Sequence, residues 1–167
     1  GALIDEGTAA ASSVVLINDQ FYWLTNKLEV VCNVGYQRKK VSTLHIDYLI
    51  QSLSTVSDAK AFQYRIDGHV FYVLTFPTED VTLVYDLSTD MWHEWSSFIT
   101  SGVETYGRHR ANCSVWFDNK WIVGDHTNGK LYEVDMNTYM DDEDFIKRTR
   151  RTAIIRSNGA RLFHNSV

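Results

Sequence analysis

The sequence predicts an all-β chain built from one small antiparallel unit used three times, and two observations carry that reading. The first is a recurring phrase: residues 16–25 read LINDQFYWLT, residues 65–75 read RIDGHVFYVLT and residues 116–125 read WFDNKWIVGD, each a strand, a tight turn and a strand. The turns Asn18-Asp19, Asp67-Gly68 and Asp118-Asn119 use residues that tolerate positive φ, which two-residue hairpin loops need to follow the right-handed twist of their strands. The second is the spacing: Asn18 to Asp67 is 49 positions and Asp67 to Asp118 is 51. A trailing phrase, LVYDLST at 83–89 and LYEVDMNT at 131–138, puts Asp86 and Asp135 again 49 apart. Periods near fifty with several short strands per unit read as propeller blades. The predicted fold is therefore a partial β-propeller with three four-stranded antiparallel kelch-like blades and one short helix. It forms a single segment over 1–167, with blades at roughly 14–56, 60–98 and 110–156.

Taken in order, the first unit gives strands at 14–17, 21–25 and 28–34, followed by a helix at 44–53. Ile46, Leu49, Ile50 and Leu53 recur on a single helical face, and Ser42 or Thr43 can cap its start, so the stripe is expected to dock on the sheets. The middle unit is the most regular, with strands at 61–66, 69–76, 81–87 and 91–96. Its second strand, HVFYVLTF, is apolar almost throughout instead of alternating, as expected where both faces of a sheet are covered. Pro77, the sole proline, ends it. The last unit gives 112–117, 120–124 and 130–135, with a fourth strand expected within 145–155. Three blades are too few to close a ring of four to eight, so the chain is expected to be part of a longer protein or to complete a ring by assembly.

Composition sets outer limits. The chain has 167 residues, 44% hydrophobic and 13% aromatic, enough for a real core. A net charge of −5, from 16 basic against 21 acidic residues, gives no global attraction to nucleic acid, so any such contact needs a local patch. Cys32 and Cys113 lie far apart in expected strands and read as buried free thiols. The longest nearly apolar run, 70–76, is too short to span a bilayer, and no leader pattern opens the chain, so a soluble protein without a membrane partner is expected.

Enzyme chemistry finds little footing. His45, His69, His93, His109, His126 and His164 share neither the i, i+4 helical spacing nor the i, i+2 strand spacing that aims two ligands at one metal. GxSxG is absent, and His109 with Cys113 is the nearest approach to a nucleophile and base. The acidic run Asp141, Asp142, Glu143 and Asp144 lacks the glycine and terminal glutamate of an EF-hand loop and reads as a solvated hairpin tip. No catalytic residue, cofactor or metal is therefore expected, and the chain reads as a non-enzyme. Lys147, Arg148, Arg150 and Arg151 form a basic strip; on a strand, Arg148 and Arg150 share a face that can meet DNA phosphates or an acidic partner, or simply guard an edge. Trp23, Trp92, Trp95, Trp116 and Trp121 suggest a sugar platform, but their apolar neighbours favour core packing. The fold-defining turn residues are Asp67, Gly68, Asp86, Asp118 and Asp135.

The run GHVFYVLTFPTEDVTLVYDLSTDMWHEW, at 68–95, resembles the central signature of the packaged-DNA stabilisation proteins of short-tailed phages, the tail nozzle beneath the portal. QRKKVSTLHIDYLIQ at 37–51 is similar to the family's preceding segment. GDHTNGKLYEVDMNTY at 124–139 and IKRTRRT at 146–152 resemble the family's segments on the C-terminal side of that signature. The resemblance implies a propeller in a ring-shaped homo-oligomer, a hexamer by family likeness, made in the bacterial host cytoplasm and carried in the virion tail. It implies a portal-side adaptor above and tail spikes or a needle below as partners, with DNA held in the head and non-specific DNA contact possible. Family members are considerably longer than this chain. A kelch-like adaptor for host proteins, and a carbohydrate-binding or hydrolytic propeller, are the alternatives.

Overall fold

The computed structural model describes residues 7–99 and 105–149. A 3-10 turn, Ala11–Ser13, leads into a four-stranded antiparallel meander of β1 (Val15–Ile17), β2 (Gln20–Leu24), β3 (Val30–Val34) and β4 (Gln37–Lys40). The helix α1 (Leu44–Ser52) follows, and then a second meander of β5 (Lys60–Ile66), β6 (His69–Phe76), β7 (Val81–Asp86) and β8 (Met91–Glu94). A hairpin of β9 (Ser96–Ile99) and β10 (Thr105–Arg108) leads to a third sheet of β11 (Ala111–Phe117), β12 (Lys120–Asp125) and β13 (Leu131–Glu133). A two-residue ladder of β14 (Met140–Asp141) and β15 (Asp144–Phe145) ends the described chain.

Each sheet opens with the same hairpin, paired Ile17 to Gln20, Ile66 to His69 and Phe117 to Lys120. All six central residues have positive φ: Asn18 49°, Asp19 62°, Asp67 49°, Gly68 78°, Asp118 48° and Asn119 61°. Three elements depart from expectation. Strand β4 is Gln-Arg-Lys-Lys with every residue exposed, so it has no apolar alternation to read; it is a charged edge, and Lys40 ties it to α1 through Asp47 at 2.5 Å. The β9–β10 hairpin likewise carries no repeat phrase to mark it. The third sheet has three strands among the described residues, because the chain after β13 forms the separate β14–β15 ladder and then runs irregularly over 146–149; residues 150–155 lie outside the described residues.

The three sheets stack in sequence order, without closing a ring among the described residues. Tyr72, Leu74, Phe76, Leu83 and Tyr85 of the second sheet meet Ile17, Tyr22, Leu24, Val30 and Cys32 of the first, joined by Ile46 and Ile50 of α1. The other face of the second sheet, Phe62, Tyr64, Val73 and Val84, meets Ala111, Trp121 and Val123 of the third. The first strands run beside one another and use one repeat position alike: Gln63 Nε2 donates to the Leu16 carbonyl at 3.1 Å, and Ser114 Oγ, 51 residues on, donates to the Gln63 carbonyl. Thr43 caps α1 by accepting from the Ile46 amide, and His45 is exposed.

The order of the sheets leaves Cys113 and Trp116 exposed where the sequence suggests burial. Fifty-one residues after Tyr64 and Ile66 come Val115 and Phe117, 56% and 70% exposed, because among the described residues no sheet covers the face that the third sheet covers on the second. Leu131 on that face is 73% exposed, and Cys113 lies open there instead of buried like Cys32. Trp116 is also not a core residue: it is 54% exposed at the hairpin end of the second junction.

Leu74→Ala, in the doubly covered sheet, should lower unfolding free energy by about 3 kcal/mol. Phe117→Ala, on the open face, should change it by no more than about 0.5 kcal/mol. Urea denaturation of both variants measures the contrast, and equal losses would refute the assignment of faces.

Candidate interaction surface between the second and third sheets

Arg110 stands where four segments converge. It precedes β11, its side chain is 14% exposed, and its guanidinium meets Asp144 at 2.7 Å, Asp141 and Asp142 at 3.5 Å and Asp125 at 3.7 Å. Its backbone amide donates to Ser97 Oγ at 3.2 Å, and Ser97 Oγ donates to Asp141 Oδ2 at 2.8 Å, tying β9 to β14. Lys130 Nζ adds a contact of 3.0 Å to Asp142. The acidic run does form a hairpin tip, pairing Asp141 with Asp144 around an Asp142-Glu143 turn, but its aspartates lean on cations instead of facing only water. Asp141, Asp142 and Asp144 are partly buried around Arg110, and only Glu143 is fully exposed. Burial works against the Asp125 carboxylate, but bonds from Thr127 and the nearby Arg110 outweigh it and hold the carboxyl below the usual range. Among the described residues no group of three or more His, Cys, Asp or Glu is arranged to hold a metal ion.

Beside this network runs a groove of about 640 Å³ whose walls include Tyr64, Phe71, Trp95, Phe98, Phe145 and Lys147. Lys147 Nζ sits 4.7 Å from the Phe98 ring centre and 5.4 Å from that of Tyr106, and the Arg148 guanidinium lies 5.6 Å from Tyr139. Strand β15 ends at Phe145, so Lys147 and Arg148 do not alternate across a pleat as expected; they are placed by aromatic rings. Arg150 and Arg151 lie outside the described residues. The part of the strip that is described offers cationic heads beside aromatic faces, a surface suited to phosphates or acidic side chains.

His109 is turned edge-on to Trp95, with ring centres 5.4 Å apart, and its amide donates to Thr82 Oγ1 at 3.2 Å. Burial pushes its pKa below the ordinary histidine value, against the pull of Asp141 and Asp125. Cys113 lies with Val115 and Phe117 on the open face of the third sheet, away from any such setting. The turn aspartates organise the strand ends. Asp86 accepts from the Ser88 amide at 2.9 Å and from Thr89 Oγ1 and His69 Nδ1 at 2.7 Å; Asp135 accepts from the Asn137 amide and Thr138 Oγ1 at 3.1 Å. Asp67, Gly68 and Asp118 stay at the exposed hairpin tips. Sequence reading missed Arg110, Ser97 and Asp125. The Arg-His-Arg run at 108–110, opposite a later acidic run, was the available signal.

All three sheets also lie within the match of a family model described as Bacteriophage P22 Gp10, beta-propeller, which covers residues 1–139. The chain belongs to this phage stabilisation family. The match begins well ahead of Gln37, where the sequence resemblance starts, and stops before β14, so the basic strip falls beyond it. No curated protein matches the chain. Membership gives the chain a virion-associated structural role in DNA stabilisation, and the mostly β structure agrees with the propeller label.

Arg110→Met should lower unfolding free energy by about 2–3 kcal/mol, somewhat less than for fully buried pairs because Asp141 and Asp142 keep some water contact. Denaturant titration checks it, and a loss below about 1 kcal/mol would show the aspartates to be independently solvated. The pH dependence has a definite sign. His109 is held neutral, so the stability it contributes is present above the ordinary histidine value of about 6.5 and is lost as pH falls below it. The melting temperature should therefore drop on acidification from neutrality to pH ~5.5, and His109→Gln should flatten that part of the curve.

Proposed function

We propose that this chain is a structural module of a short-tailed phage tail, a nozzle or hub protein that plugs or extends the portal channel and helps retain packaged DNA. The observation that carries the reading is the family match over residues 1–139, supported by the succession of like sheets. The three sheets act as consecutive propeller blades of a longer protein, working by assembly and shape instead of by chemistry. That protein forms a ring-shaped homo-oligomer, a hexamer, between a portal-side adaptor and tail spikes or a needle. Lys147 and Arg148, with Arg150 and Arg151, contact DNA phosphates without base readout, or an acidic partner surface. The protein is made in the host cytoplasm and incorporated into the virion tail.

The test is a phage lysate assembled without this protein. Particles should package DNA and then lose it, measured as nuclease-accessible genome per capsid, while immunogold label on complete virions should lie at the portal vertex. Full retention of DNA in particles lacking the protein would overturn the reading.

A further inference from the structure

Two junctions open toward the hairpin tips of the stack, and one repeat position governs both. At the first, Arg65 Nη2 reaches across to Asn18 Oδ1 at 2.6 Å and ties the second sheet to the tip of the first. Fifty-one residues on, Trp116 stands in the place of Arg65. Its indole packs on Trp121, with centres 5.5 Å apart and planes at 60°, and leaves a cleft of about 480 Å³ beneath the Asp67-Gly68 turn. Gly68, at φ 78°, has open space where a Cβ would stand, so the turn does not fill the cleft. The Trp116 indole is more than half exposed beside that of Trp121.

The cleft joins two indoles to polar groups of both kinds. Arg65 and Asp67 stand at the rim, Asp67 with its carboxylate and Arg65 with a guanidinium of which Nη2 is already held by Asn18. Gln63 also lines the cleft, with its Nε2 committed to the Leu16 carbonyl of the first sheet. We propose that this cleft is a carbohydrate subsite that takes a neutral pyranose ring. The apolar C–H face of such a ring lies on the Trp116 indole, while its hydroxyls donate to Asp67 and accept from Arg65. A nucleic-acid strand suits it less, because its phosphates would meet the Asp67 carboxylate on a chain of net charge −5. The inference rests on the cleft alone and does not depend on the role in DNA retention.

The test titrates the full 167-residue chain with chitotriose, maltotriose, mannotriose and galactobiose at millimolar concentration, and separately with octathymidylate. Saturation-transfer NMR should show contact to sugar ring C–H protons for at least one oligosaccharide, and the Trp116 and Trp121 indole N–H signals should shift. Trp116→Ala should weaken that binding at least about tenfold with an unchanged melting temperature, and Asp67→Asn should weaken it several-fold. No transfer from any of the four sugars, shifts confined to other tryptophans, undiminished binding by Trp116→Ala, or tighter binding of octathymidylate would each overturn the proposal. The indole shifts of the unmodified protein decide the matter even if the variant fails to fold.

Discussion

Coverage of the second sheet on both faces is the constraint on which the rest of the structure depends. Alternate residues of β6 and β7 point to opposite neighbours, so Tyr72, Leu74 and Leu83 enter one core and Val73 and Val84 the other, and none of the five keeps contact with water. Polar atoms carried inside must find partners there. Tyr72 Oη donates to the Ser13 carbonyl at 2.8 Å, the hydroxyls of Thr75 and Thr82 pair at 3.1 Å, and burial pushes the Tyr72 phenol well above its ordinary pKa. Because each sheet offers the same repeat face to the next, the arrangement has no internal stop. It leaves Val115, Phe117 and Leu131 uncovered where the described succession ends.

Electrostatics completes what apolar burial leaves loose. The segment after β13 has few buried apolar residues and is held by Arg110 among four aspartates and by Lys130 on Asp142. Two cations against four aspartates leave this network net acidic, beside the aromatic and basic groove. Lys147 and Arg148 rest on aromatic rings, and these contacts position the cations beside the groove. A phage structural role in DNA stabilisation fits a molecule whose prominent features are packed sheet faces.

The two junctions show how a repeat acquires difference without changing its frame. Register, turn geometry and the bond from the Gln63 or Ser114 position are shared. The substitution of Trp116 for Arg65 converts a bridged joint into an open, indole-lined one. Such a change costs the core little, since both positions lie at the exposed hairpin end. It is where a scaffold can gain a site.

The sequence by itself determined the local architecture: the three hairpins, the regular middle sheet, the capped helix and the likeness to a phage family. Turn residues, strand alternation and family signatures act over a few neighbours, so they are legible in one dimension. Only the tertiary structure decided which apolar strands are covered, that Cys113 and Trp116 stand in the open, that the polar segment 37–40 pairs as an edge strand, and that Arg110 gathers Asp125, Asp141, Asp142 and Asp144. Burial and ion pairing depend on which distant segments arrive at the same place. A residue's own neighbours in the chain carry no record of that arrival.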